Sequence, residues 1–127
     1  MIITAYYPVL FAKDLDAALK RYEEMGFQRL HTLEDGWVKV HVLRINNDRI
    51  DLFSSDLPEL QVKDGFYAMR VNVREFEEGL AFYQALGYKI VMGPASAPSM
   101  QLAVLQNDEE DRIFLFHHIK RQPYSNE

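Results

Sequence analysis

The chain contains two copies of one pattern. Displacing the segment that begins at Tyr7 by 61 positions lays Leu19, Tyr22 and Gly26 on Leu80, Tyr83 and Gly87, Phe27 on Tyr88, and Asp14 on Glu75. The end of each copy repeats more closely. Arg49-Ile50-Asp51-Leu52-Phe53 recurs as Arg112-Ile113-Phe114-Leu115-Phe116, with four of five residues identical. A period of about sixty is longer than the helical hairpins of solenoids or the blades of propellers, so the repeat implies two copies of a larger supersecondary unit sharing one core.

Composition narrows the function classes. With 127 residues, 48% of them hydrophobic, the chain has the size of one ordinary domain and can bury a core without staples. The absence of cysteine removes disulfides, thiolate metal sites and thiol nucleophiles. No apolar run approaches the roughly 20 residues of a membrane helix. Met1-Ile2-Ile3-Thr4 lacks the charged and apolar regions of a signal peptide, so a cytoplasmic location is expected. The formal net charge is −5 and no basic run exists beyond Lys120-Arg121, which leaves no electrostatic footprint for nucleic acid. The acidic balance favours solubility and points to no partner.

Each copy opens with an apolar strand leading into a helix. Residues 2–11 are rich in β-branched and aromatic side chains, and Asp14 offers an oxygen to cap the first helix. Leu15, Ala18, Leu19, Tyr22 and Met25 share one helical face, and Gly26 stands where a left-handed C-terminal cap belongs. Phe76, Leu80, Tyr83 and Leu86 repeat that face, closed by Gly87, although Gly79 weakens the second helix by about 1 kcal/mol relative to Ala. Three strands come after each helix: 27–33, 37–45 and 49–53, then 88–92, 101–106 and 112–118. Asp35-Gly36 and Asn46-Asn47-Asp48 are hairpin signals. Gly93-Pro94-Ala95-Ser96-Ala97-Pro98-Ser99 is rich in breakers and reads as a flap, ordered or mobile. The expected division is a single domain over 1–127, with module one at 2–54, a linker at 55–65, module two at 66–119 and a flexible tail at 120–127.

The order strand, helix, strand, strand, strand, given twice, is not that of a ferredoxin-like domain. It resembles the vicinal oxygen chelate superfamily of glyoxalase, extradiol dioxygenases and bleomycin and fosfomycin resistance proteins, from about Thr4 to Ile119. The resemblance rests on Asp14 to Gly26 and, in register, Glu75 to Gly87, including Phe82-Tyr83-Gln84-Ala85-Leu86-Gly87. It implies an α+β fold in which two tandem βαβββ modules form a curved, incompletely closed mixed β-sheet barrel around a cleft. It also implies a homodimer with clefts at or near the subunit boundary.

Catalytic members of that family hold a divalent metal with side chains from the first and last strand of each module. The matching first-strand positions, seven residues before each capping acid, are Tyr7 and Ala68, and the last-strand positions are Asp51 and Phe114. Only Asp51 is a good ligand, since Ala68 and Phe114 have no lone pair and Tyr7 would have to ionise. A shift of one residue substitutes Tyr6, Ile50, Tyr67 and Ile113, which is worse. His117 and His118 are adjacent on a strand and point to opposite faces, while His31 and His41 lie on different strands without a third ligand. No metal and no cofactor is expected.

Strand alternation turns Tyr7, Val9, Phe11, Arg49, Asp51, Phe53, Ala68, Arg70, Asn72, Arg112, Phe114 and Phe116 toward the cleft. Aromatic walls with a small polar cluster suit a small organic ligand. The candidate binding residues are Tyr7, Arg49, Asp51, Arg70, Asn72, Phe114 and Phe116. Arg70 either presents its donor fork to a ligand carboxylate or phosphate, with Asp51 accepting from a hydroxyl or amine, or it forms an internal salt bridge with Asp51. Phe114 and Phe116 also fit plain core packing. Trp37 shields a sheet edge or enters an interface.

The preferred reading is a metal-free protein, resembling the bleomycin-resistance branch, that sequesters an organic ligand rather than transforming it. One alternative is a lyase or dioxygenase of the glyoxalase type with an atypical metal site around Asp51. Another is a structural or regulatory module with a filled cleft.

Overall fold

The computed structural model describes residues 3–60, 66–119 and 124–125. The first repeat gives β1 (Ile3–Phe11), α1 (Leu15–Glu24), β2 (Gln28–Asp35), β3 (Val38–Ile45) and β4 (Asp48–Ser55). After a single 3-10 turn at Pro58–Leu60, the second gives β5 (Phe66–Val73), α2 (Phe76–Ala85), β6 (Lys89–Ala97), β7 (Met100–Gln106) and β8 (Arg112–His118). A two-residue strand, β9 (Tyr124–Ser125), pairs with β2. The rest of the 120–127 tail, residues 61–65 of the linker and Ile2 lie outside the described residues.

Local chemistry sets the helix ends. Asp14 accepts a hydrogen bond from the Ala17 N–H at 3.0 Å and so satisfies an otherwise unpaired donor of the first turn of α1. Gly26 and Gly87 come just after the two helices at φ of 104° and 95°, a region that costs a side-chain-bearing residue free energy. Gly79 has a packing role: a Cβ there would meet Leu115 and Val73 at 3.1 Å, so its absence lets α2 settle onto the sheet.

All strands join one mixed sheet in the order β6-β7-β8-β5-β1-β4-β3-β2-β9. At its centre β1 and β5 run antiparallel, with Tyr7 opposite Arg70 and Val9 opposite Ala68. β4 flanks β1 in parallel and β8 flanks β5 in parallel, so the two repeats are related by a pseudo-two-fold axis through the β1–β5 seam. The fold is therefore the expected α+β arrangement, a curled half-barrel of two βαβββ modules. The helices cover its outer face. Leu15, Ala18 and Tyr22 of α1 pack on Leu10, Leu43, Ile50 and Leu52, and Phe76, Leu80 and Tyr83 of α2 pack on Val71, Ala103, Ile113 and Leu115.

The inner face carries a third apolar cluster drawn from both modules, including Val9, Phe11, Leu33, Val40, Phe53, Ala68, Met100, Leu102, Phe114 and Phe116. Fully burying a side chain of this size contributes roughly 1.5–3 kcal/mol, so this cluster is a principal reason for the sheet to curl.

The segment expected to form a flap is the second half of β6. Ala95, Ser96 and Ala97 pair with Leu102, Gln101 and Met100, and register shifts on either side of Met92 absorb Gly93 and Pro94. β6 is an edge strand, where a proline lacking an N–H is tolerated. The turn between β6 and β7 meets the β2–β3 turn from the other module. Asp35 Oδ2 accepts from the Ser99 N–H at 2.9 Å and from Ser99 Oγ at 2.6 Å, and Trp37 Nε1 donates to the Ser96 carbonyl at 3.2 Å. Gly36, at φ 62°, lies so near that an added Cβ would sit 2.7 Å from Pro98 Cδ. These contacts clasp the two ends of the curled sheet together.

Candidate functional site

The inner face has an apolar end and a polar end, a consequence of strand direction. Phe11 closes one end with Phe53, Phe66 and Phe114, at ring-centroid distances of 5.0, 5.5 and 5.3 Å. Because β1 and β5 are antiparallel, the start of β1 lies beside the end of β5. Tyr7 therefore faces Arg70, with Arg49 and Asp51 brought in on β4 and Phe116 and His118 on β8.

A chain of polar contacts crosses this second end. Arg49 Nε and Nη2 donate to the two oxygens of Asp51 at 2.9 and 3.2 Å, and Arg70 Nη1 donates to Asp51 Oδ2 at 2.9 Å. Arg70 Nε donates to Asn72 Oδ1 at 2.8 Å, and the Asn72 amide stands 3.3 Å from His118 Nε2. The guanidinium of Arg70 lies 3.7 Å from the Phe116 ring centroid, and that of Arg49 lies 4.1 Å from the centroid of Tyr7. Asp51 is fully buried and Arg70 is 4% exposed. Arg70 Nη2 is buried with no hydrogen-bond partner among the described residues.

Donor chemistry fixes the direction of this chain. A guanidinium only donates, so Asn72 must turn its oxygen to Arg70 and its NH2 to His118. Nε2 of His118 then accepts, which makes the imidazole neutral with its proton on Nδ1. The same surroundings push the His118 pKa down to about 4, through burial first and then through Arg70, His117 and Arg49.

The remaining candidates separate. Phe114 belongs to the apolar end, whereas Phe116 supports Arg70. Arg112 turns away to lie over Phe66 at 4.3 Å and donates to Gln106 at 3.0 Å. His117 contacts the Val73 carbonyl at 3.1 Å, and His41 sits between Thr32 at 2.9 Å and Asp16 at 3.5 Å. Arg70 and Asp51 also border a slot with Leu33, Val40, Val42, Met100 and Phe116 that is too narrow for a water molecule.

The residues present do not fit a divalent metal at the positions the resemblance indicates. Both oxygens of Asp51 are engaged by guanidinium groups, Ala68 and Phe114 supply no donor, and the Tyr7 ring underlies Arg49. Among the described residues, no group of three or more His, Asp or Glu side chains could hold an ion. A dication beside two arginines would also meet strong repulsion.

Sequence reasoning reached Tyr7, Arg49, Asp51, Arg70 and Asn72 through strand parity, and the structure brings these five together. It allowed His118, by its parity with Phe114, to line the end of the cleft but preferred a structural role, because the link to Asn72 depends on the register of β5 on β8. It treated Arg70 as the partner of Asp51 and overlooked the two-point contact from Arg49, although Arg49 and Asp51 have the same parity on one strand.

The duplicated βαβββ half-barrel, with two helices on its outer face, is the α+β arrangement of the glyoxalase and bleomycin resistance fold. The chain belongs to the Glyoxalase/Bleomycin resistance protein/Dioxygenase superfamily, whose sequence profile matches residues 5–113. Among solved structures it is similar to an uncharacterized protein from Methanosarcina mazei, at 21% identity and a TM-score of 0.54, covering 98% of this chain and 100% of that one. It is also similar to a hypothetical protein from Bacillus halodurans, at 16% identity and a TM-score of 0.60, covering 94% and 96%. A glyoxalase I variant from Zea mays aligns at 18% identity and a TM-score of 0.61, over 98% of this chain but 47% of that one. At these identities the likeness is one of fold. No curated protein gives a match. Among the described residues, no helix is long and apolar enough to cross a membrane.

Proposed function

We propose that this member of the superfamily binds a small organic molecule at the polar end of its inner face, without a metal and without transforming it. The observation that carries this reading is the state of Asp51, whose two oxygens are held by Arg49 and Arg70 where the family's metal carboxylate belongs. Guanidinium groups in place of a dication remove the Lewis acid and leave aromatic surfaces with directed donors. Such a lining orients a ligand and provides no group to activate water or oxygen.

A thermal-shift screen of metal-free protein against aromatic acids, peptides and glycopeptide drugs tests the reading. A ligand present at 100 times its Kd stabilises by about 2.7 kcal/mol, a readily measured shift. A hit lost in Arg70→Met supports binding at this end. No shift from any compound favours the second reading, a regulatory or structural module with a filled inner face. That reading draws on the slot beside Arg70, which excludes water as it stands.

A further inference from the structure

We infer that the inner face holds a gated subsite for an organic anion, in which Arg70 Nη2 is the receiving donor and the Asp35–Ser99 clasp is the gate. The inference rests on the binding reading above and narrows it to one class of ligand.

The first support is a count of donors and acceptors along the chain of contacts. Asp51 is the one anion in the cluster among the described residues, and its two oxygens are already engaged by Arg49 and Arg70. Asn72 accepts from Arg70 and gives its NH2 to His118, whose proton is thereby placed on Nδ1. Arg70 Nη2, on a side chain 96% buried, has no acceptor among the described residues. Among the described residues Asp51 is the carboxylate that Arg70 pairs with, and Arg70 keeps an unanswered donor. A carboxylate supplies what is missing, since it accepts without competing for the donors already committed. A neutral amide oxygen also accepts, but it brings no charge and makes a weaker bond to a guanidinium than a carboxylate does.

The second support is where the slot lies. Its walls come from the middle of the sheet, at Asp51, Arg70 and Phe116, and from both of its ends, at Leu33 and Met100. Leu33 is two residues before Asp35, and Met100 comes directly after Ser99. The clasp thus ties together the chain segments that supply Leu33 and Met100, two walls of the slot that Arg70 borders. While Asp35 holds Ser99, that space excludes even water. Parting the clasp widens the slot, and an entering carboxylate then satisfies Nη2. The buried donor makes the closed state less favourable than full satisfaction would, which lowers the free energy a ligand must supply to open it.

Benzoate and its neutral isostere benzamide, titrated into 15N-labelled protein and followed by NMR at the Arg70 Nε–H and His118 ring signals, test both parts. Benzoate is expected to shift these signals and to bind at least roughly tenfold more tightly than benzamide. Ser99→Ala, which removes one of the two bonds to Asp35, is expected to bind benzoate roughly fivefold more tightly, because opening then requires less. Arg70→Met should abolish the shift at the His118 ring, and the benzoate and benzamide comparison on the unaltered protein stands alone if that variant does not fold. Equal affinity for the two compounds, or benzoate shifts confined to exposed lysines such as Lys13, overturns the anion subsite. Unchanged or weaker benzoate binding by Ser99→Ala overturns the gate. A neutral compound that binds the inner face while benzoate does not removes this inference and leaves the binding reading intact. Silence from every compound in the wider screen removes both.

Discussion

Asp51 Oδ2 and Arg70 Nη1 meet at 2.9 Å across β1, joining the last strand of one repeat to the first strand of the other. The pair is closed to solvent, with Asp51 at 0% and the Arg70 side chain at 4% exposure. Truncating one partner of such a pair leaves the other charge buried, at a cost of about 3–5 kcal/mol. Asp51→Ala, which removes the carboxylate that the buried Arg70 pairs with, is therefore expected to lose at least about 3 kcal/mol in urea denaturation. Arg49 is 35% exposed, so solvent screens its share and Arg49→Gln should lose only about 1 kcal/mol. Equal losses in the two variants would contradict this ranking.

Two histidines make stability depend on pH in the same direction. His118 is held down to about 4 by burial, Arg70, His117 and Arg49, and His41 is lowered mainly by burial, with Lys39 and Arg29 adding to the effect against Asp16. Both therefore bind more protons unfolded than folded below their ordinary value of about 6.5. Their contribution is complete above about pH 6.5 and falls as pH drops, that of His118 being lost toward about 4. Urea midpoints measured at pH 7.5, 6 and 5 should decline. The decline should be shallower in His118→Gln, and a slope identical to that of the unaltered protein would show that His118 is not the neutral end of the Asn72 contact.

The clasp depends on Gly36 for two reasons, a φ of 62° and the nearness of Pro98. Gly36→Ala should cost at least about 1 kcal/mol from the backbone conformation alone, with the Pro98 collision added. Hydrogen exchange provides the local reading. The Ser99 amide, which donates to Asp35, should exchange faster in Gly36→Ala by a larger factor than the amides of Leu115 or Val71. A uniform change along the chain would mean that the clasp opens only with the whole molecule.

Much of this architecture was legible because it is written locally. Asp14, Gly26 and Gly87 mark helix ends by their own backbone chemistry, and the alternation in Arg49-Ile50-Asp51-Leu52-Phe53 assigns each side chain a face regardless of what lies opposite. Other features depend on partners far away in sequence. Gly93 and Pro94 suggested a flap because breakers interrupt interior strands, but β6 lies at the sheet edge, where the missing N–H matters little. Asp35 and Ser99 are 64 residues apart and meet only because the sheet curls. His118 acquires a defined tautomer through Asn72, 46 residues away, which no spacing along the chain announces.

The central claim is that two guanidinium groups have replaced the metal of the family at Asp51. Metal content of the purified protein, measured after exposure to manganese, iron, zinc and nickel and then gel filtration, tests it most directly. The account predicts far less than one metal ion per chain and no thermal shift with any of the four. About one ion per chain, lost in Asp51→Ala, would contradict it.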